Sequence, residues 1–380
     1  FVTYLNNSKK ILALDADFGI RSYSFLQQHS QDIKIIMNEC KNSNRRFVFN
    51  TQKEYFVQAM MSALHERKNI VLVSMSSTIA KQLHERLKMT QVIAELGYDP
   101  KKVLHCSTSD DKLKENLKDV ETYWSECEYV AFTPSVDAGV DYSSVHFDKM
   151  FCVLSSQSTS YRGFMQMTGR VRHLDEQDIL VHCPKHMYTT NQFNFYTYEE
   201  ATDIIKKIHQ YMKFQSTHTI GDDIILEDEL DNLTKIRVWN FMESKHSSPS
   251  NFLKSLLMLC EKKGIEIVHD KTIALSKKIT KELKAAQQTL DMNLITAKDI
   301  DDAEYEQLNA KNVKTEAEKL SVDKFFTKKT FHIKELTWEF VKKIQTADTF
   351  RELITFVKDE YGVQRALTDY NDGFLISCSV

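Results

Sequence analysis

The stretch FTPSVDAGVDYSSVHFDKMFCVLSSQSTSYRGFMQMTGRVRHL occupies residues 132–174 and decides the fold. It opens at the end of an apolar run, YVAF at 129–132, and passes through Thr133, Pro134 and Ser135 to a turn holding Gly139 and Asp141. A second apolar run follows at 150–154, then an amphipathic helical segment at 160–171 that carries Gln166, Gly169 and Arg170, with Arg172 just beyond. Outward from this stretch, further β-rich runs lie at 11–14, 33–37, 47–49, 70–74, 103–106 and 179–182. Helical stretches at 53–67, 78–96 and 111–124 fill most of the gaps. Strand and helix in alternation predict an α/β fold with a parallel sheet and flanking helices. Such sheets take ligands at the carboxyl ends of their strands, so the residues just after each apolar run matter most.

Beyond residue 183 the pattern becomes mainly helical. Thr197 and Glu200 form a capping box that opens a helix toward Lys213. Ser248-Pro249 reads as a helix start and Gly264 as its stop. A long helix is expected over 271–292 and another over 336–344, with acidic patches at 222–231 and 299–306. The expected organisation is 1–68, then 69–186 as one compact lobe, then a mainly α-helical C-terminal region, 187–380.

With 380 residues, 42% hydrophobic and 27% charged, the chain has ordinary globular composition and length for two or three cores. The net charge of -3 excludes a polycationic or polyanionic tail but not a local basic groove. No run of 18 apolar residues is present, so no membrane partner is expected. Seven cysteines without a C-x-x-C pair argue against a metal cluster or disulfide framework and for a reducing, intracellular compartment. That compartment is nuclear, cytoplasmic or a virus-like replication site. His182 and His186 flank Pro184, so a zinc site is not expected. Trp124, Trp239 and Trp338 lie among apolar helical residues and read as core anchors. Lys271, Lys277, Lys278, Lys281 and Lys284 read as a solvated helix face, with contact to DNA the less favoured reading.

Four segments carry chemistry. KILALDADFG, 10–19, ends an apolar run in Asp15 and Asp17, carboxylates suited to a Mg²⁺ shell or an attacking water, or simply to capping the next helix. NIVLVSMSST, 69–78, delivers Ser74, Ser76, Ser77 and Thr78 to a helix start, where hydroxyl and N–H groups hold a phosphate or cap the helix. The third is Thr133 with Gly139 and Asp141, and the fourth is Gln166, Gly169, Arg170 and Arg172. The planar guanidinium fork matches phosphate oxygens.

Taken together, an acidic strand end, a hydroxyl-rich strand end, T-x5-G-x-D and Q-x-x-G-R resemble motifs II, IV, V and VI of superfamily 2 helicases, in order. The stretch 132–174 is similar to the herpesvirus-type replication origin-binding helicases. The resemblance is close over 10–183 and looser beyond 187. It implies a RecA-like, P-loop NTPase type lobe and an ATP-dependent DNA helicase or translocase with ATP and Mg²⁺ as cofactors. DNA would be the substrate, and replication proteins such as a primase would be partners. By residue, it implies Mg²⁺ at Asp15, orientation of water by Asp17, and an arginine finger at Arg170 supported by Arg172 and Gln166. It assigns Gly139, Asp141 and Gly169 to the nucleotide, and Ser74, Thr133 and Ser135 to nucleic-acid phosphates. Thr133, Gly139, Arg170 and Arg172 are expected along one sheet edge.

The sequence departs from the motifs at three places. Ala16 stands where motif II has Glu, His173 stands where motif VI has its second Arg, and no Ser-Ala-Thr motif III is found. No Gly is followed by Lys, so the chain contains no G-x-x-x-x-G-K-[ST] phosphate loop. The expectation is therefore a fragment that begins late in a first lobe and has negligible ATPase activity alone. Two alternatives stay open: a non-catalytic nucleic-acid-binding or assembly module, and a restriction-type translocase.

Overall fold

The computed structural model describes residues 6–13, 20–27, 29–30, 32–36, 44–136, 140–156, 158–188, 197–216, 232–246, 248, 251–273, 276–331 and 333–346. The strands are β1 (Arg46–Asn50), β2 (Ile70–Ser74), β3 (Lys102–His105), β4 (Tyr129–Phe132), β5 (Lys149–Val153), β6 (Asp178–His182) and β7 (Glu266–His269). Helix α1 (Ile20–Gln27) precedes β1, and between β1 and β5 run α2 (Lys53–His65), α3 (Ser77–Arg86), α4 (Thr90–Leu96), α5 (Asp111–Glu115) and α6 (Val120–Trp124). Then come α7 (Tyr161–Thr168), α8 (Tyr198–Ser216), α9 (Asn232–His246) and α10 (Phe252–Lys263). The chain continues through α11 (Lys277–Thr296), α12 (Asp302–Ala310), α13 (Glu316–Phe331) and α14 (Trp338–Thr346). Strand order in the seven-stranded sheet is β3-β4-β2-β5-β6-β1-β7. The fold is α/β, a seven-stranded sheet with flanking helices and a mainly helical C-terminal region.

The chain divides into two compact units. The first comprises Phe1–Lys53, Cys152–Arg170 and Glu176–Thr272. Within it, β1 pairs in parallel with β6 on one side and with β7 on the other. Arg46 starts β1 and ion-pairs with Asp178, the first residue of β6. At the far end, Asn50 donates to the Asp270 and Thr272 carbonyls, fixing the chain that leaves β7. Phe47 meets Phe164 of α7 at 6.1 Å between ring centroids. The α8–α9 pair closes on Ala201, Ile205, Val238 and Met242, with Tyr198 and Trp239 against them. The capping box forms as expected: Thr197 N–H donates to Glu200 and Glu200 N–H to the Thr197 hydroxyl.

The second unit comprises Glu54–Phe151, Val171–Asp175 and Ile273–Val380. Here β3, β4 and β2 are parallel neighbours, and β2 and β4 are buried along their whole length. Continuous apolar strands of this kind are what a sheet covered on both faces requires. Trp124 fills the core, stacked on Phe132 and beside Tyr142 and Phe147. Helix α11 lies along α3, and α13 packs on α11 and α12. A buried ion pair joins the two layers: Arg86 of α3 donates from Nε and Nη2 to the same Glu282 oxygen of α11, at 2.9 and 2.6 Å.

Several expectations need correction. The runs 11–14 and 33–37 are not strands among the described residues: 11–13 and 33–36 are irregular, and Leu12 and Ile36 face solvent. The helix expected over 78–96 is two, because α3 stops at Arg86 and Met89 takes an extended conformation before α4. The helix ending at Gly264 starts at Phe252, and the Ser248 hydroxyl donates back to the Lys245 carbonyl at the close of α9 instead of capping it. Gly264 does end that helix, in a left-handed conformation with φ of 67° that favours glycine. The C-terminal region is mainly helical, as expected, and also contributes β7 to the sheet.

Candidate functional site

In the second unit, His105, Phe132 and Val73 stand opposite one another in register. The residues that follow, Cys106, Thr133 and Ser74, therefore line up along the carboxyl edge of three parallel strands. Each leads into a hydroxyl-rich turn. The Ser74 hydroxyl is buried and internally satisfied: it donates to the Ser76 carbonyl and accepts from Ser76 N–H. Its work in this geometry is to shape the turn. Ser76 caps α3 by accepting from Ile79 N–H, which leaves Ser77 and Thr78 at the first helical positions. Those early N–H groups have no carbonyl partner inside the helix and form a favourable place for an anion.

Thr133 is only 3% exposed. Its N–H donates to the His105 carbonyl at 3.0 Å, and its hydroxyl lies 3.0 Å from that of Ser135, which is nearer the surface. His105 is held from the other side, where the Trp124 indole N–H donates to its Nε2 at 3.1 Å. Burial pushes the His105 imidazole down to about 4, so the ring stays neutral and keeps accepting.

Residues 142–144, beyond the strand edge, are pinned from two directions. Tyr142 bridges to Val171, and Arg172 N–H donates to the Tyr142 carbonyl. Glu121 of α6 accepts from the N–H groups of Ser143 and Ser144 and from the Ser144 hydroxyl, which holds its carboxyl below the usual range. This delivers Asp141 to Arg172, and the two side chains pair bidentately at 2.6 and 2.9 Å. The Arg172 fork is thus occupied by a carboxylate.

In the first unit, α7 carries the remaining residues. Ser160 caps it by accepting from Gly163 N–H, and Arg45 donates to the Thr168 carbonyl at its end. Tyr161, Phe164, Met167 and Thr168 face inward, which leaves Gln166 and Gly169 exposed and Arg170 half-buried. Gly169 has an ordinary right-handed conformation, and an added Cβ would come no closer than 3.4 Å to the Gln166 carbonyl. The backbone therefore does not demand glycine there.

Arg170 belongs to the first unit, and Thr133, Asp141 and Arg172 to the second. Asp15, Asp17 and Gly139 lie outside the described residues. Among the described residues, no group of His, Cys, Asp and Glu is placed to hold a metal ion, and no helix is long and apolar enough to cross a membrane. Five cysteines there are free and buried, and burial raises the thiols of Cys127 to about 11 and of Cys183 and Cys260 to about 12. These are inert packing groups.

One part of the edge was missed by sequence reasoning. The turn after β3 presents Ser107 at the surface with Thr108 and Ser109 beside it. Its signal was present in the run CSTSDD, 106–111, which places three hydroxyls directly after a strand.

Two mimivirus (Acanthamoeba polyphaga mimivirus) proteins are similar over most of the chain. One, titled "Uncharacterized putative helicase R8", is 28% identical over 94% of this chain and 35% of its own length. The other, titled "Putative replication origin-binding protein", is 27% identical over 89% of this chain and 42% of its own length. An African swine fever virus protein titled "Putative helicase/primase complex protein" is 27% identical over 46% of this chain and 16% of its own length. The chain thus spans well under half the length of these relatives. The family described as "Origin of replication binding protein" matches residues 5–194, half of the sequence, and the chain belongs to it.

Proposed function

We propose that this chain is the nucleic-acid-engaging part of an ATP-dependent DNA helicase or translocase of the replication origin-binding type. The observation that carries the reading is the aligned carboxyl edge of β2, β4 and β3. Its turns offer hydroxyls and free helix-start N–H groups to one side of the second unit, in the position where parallel sheets take ligands. A nucleic-acid strand would lay its phosphates over Ser77, Thr78 and Ser135, with Ser74 and Thr133 shaping the turns from below. Phosphate contacts of this kind position a strand without reading its sequence.

In this reading residues 69–186 act as the second lobe, with β1 and β7 added to its sheet, and 187–380 act as a helical extension. Arg170 is the arginine finger, and Gln166 and Gly169 shape its approach to nucleotide. Arg172 is a positioning residue: its pairing with Asp141 ties the segment after β4 to the residues after Arg170, so that Gly139 and Asp141 link the strand edge to the nucleotide. ATP and Mg²⁺ would supply the hydrolytic chemistry when bound, with Asp15 the residue that would hold Mg²⁺ and Asp17 the one that would orient water. The relatives' names support DNA and a replication complex with a primase as partners.

The test needs a form of the protein with a phosphate loop, since this sequence contains none. Arg170→Ala lowers DNA-stimulated ATP hydrolysis by about 10³-fold or more, the usual scale for an arginine finger, and spares DNA affinity. Unchanged turnover removes Arg170 from the mechanism. The alternative, a non-catalytic nucleic-acid-binding or assembly module, draws on Ala16 in place of the motif II Glu. It predicts DNA binding without turnover even in a form with a phosphate loop.

A further inference from the structure

The turn between β3 and α5 is gripped from outside by α13, more than two hundred residues later in the chain. The Lys319 ammonium donates to the Ser109 carbonyl at 2.5 Å, to Asp111 Oδ1 at 2.6 Å and, at 3.4 Å, to the Ser107 carbonyl. Asp111 in turn accepts from Lys314 N–H at 2.8 Å, while its own N–H donates to the Lys314 carbonyl at 3.0 Å. The Lys319 and Asp111 side chains are each only 12% exposed, so this is a desolvated contact and not a loose surface pair. Inside the turn, the Ser109 hydroxyl accepts from Cys106 N–H and donates to the Leu104 carbonyl. The Ser107 hydroxyl is left at the surface, next to the aligned edge that holds Thr133.

We infer that Lys319 and Asp111 are positioning residues that hold the Ser107–Thr108 turn as an additional phosphate-binding element of the nucleic-acid edge. This rests on the reading that a nucleic-acid strand crosses that edge. Helix α13 lies outside the matched family region, 5–194. The grip is therefore supplied by the helical extension, which gives that extension a part in strand binding. An unpinned turn samples the binding arrangement only part of the time, and apparent affinity falls in proportion to that fraction.

The experiment titrates the 380-residue chain into a fluorescein-labelled single-stranded oligodeoxynucleotide and follows amide exchange across the same turn. Lys319→Met speeds exchange at 106–111 and weakens binding by about tenfold, the loss that follows when the unpinned turn keeps its binding arrangement about a tenth of the time. Lys319→Arg restores part of the loss. Lys329→Met, which removes an exposed partner of Asp302 on the same helix, changes neither. Ser107→Ala weakens binding severalfold without altering the fold, and it serves as the decisive variant if Lys319→Met does not fold. If Ser135→Ala and Thr78→Ala weaken binding while Ser107→Ala or folded Lys319→Met leaves it unchanged, this inference fails and the edge reading stands. If Ser135→Ala and Thr78→Ala are also without effect, the edge reading fails and takes this inference with it.

Discussion

Removing the Glu282 carboxylate is the perturbation whose outcome the structure fixes most tightly. Arg86 and Glu282 side chains are 3% and 4% exposed, and two hydrogen bonds join them. Neither group is completely satisfied: Arg86 Nη1 and Glu282 Oε1 have no hydrogen-bond partner among the described residues. Glu282→Ala leaves a guanidinium buried without its counter-charge, which costs about 3 to 5 kcal/mol. With a urea m value of about 3 kcal/mol per molar, the unfolding midpoint of the second unit falls by about 1 to 1.7 M. Equilibrium unfolding followed by the fluorescence of Trp124, a core residue of that unit, reads this directly. The double variant Arg86→Met, Glu282→Leu removes both charges and both unsatisfied atoms. Its stability returns to within about 1 kcal/mol of the parent, about 0.3 M in midpoint, or rises above it, because an apolar pair avoids the desolvation penalty. The pair also sets how α11 lies on α3, so Glu282→Ala weakens oligonucleotide binding through the α3 start, and the double variant restores it. A Glu282→Ala chain as stable as the parent, or a double variant no better than the single one, refutes the account of this interface.

Other outcomes follow from the same geometry. Burial lowers His105 to about 4 and His84 to about 3, so the unfolded chain binds protons that the folded one refuses as pH falls from about 6.5. Stability therefore drops between pH 6.5 and 4, by about 3 kcal/mol for His105 alone, and His105→Gln flattens that limb of a pH-dependent melting series; equal slopes would contradict the assignment. Gly169→Ala leaves the melting temperature within a few degrees of the parent, because φ and space both suit alanine. In a form with a phosphate loop it lowers ATP turnover, and a melt lowered by ten degrees or more would show that the backbone, not an approaching nucleotide, requires glycine.

The sheet was legible because most of its strands are short runs with an apolar centre, as in IVLV at 70–73 and YVAF at 129–132. Residues 70–74 and 129–132 are strands over the expected range, and four others, β1, β3, β5 and β6, lie within one residue of it at either end. Helix ends were less legible. The stop at Arg86 has no glycine or proline to announce it, and the apolar spacing runs on through Leu83, Leu87 and Val92. Strand β7 escaped notice because Glu266–His269 is too brief to show a period and finds its partner, β1, some two hundred residues earlier. Sequence order also brings Thr133, Asp141 and Arg172 to notice, and the structure joins Asp141 to Arg172. It could not show that the Ser74 hydroxyl turns inward, since that depends on a side-chain rotamer. Nor could it show the Lys319 grip, because a lone lysine in a helix has no local signature.

The most direct test of the central claim is an amide-exchange footprint of the 380-residue chain with and without saturating single-stranded oligodeoxynucleotide, at low salt where phosphate contacts are strongest. The account predicts protection concentrated at Ser77–Thr78, Ser107–Ser109 and Thr133–Ser135, lost as salt is raised. Protection confined to α8, α9 and α10, with those three turns unchanged, would contradict it.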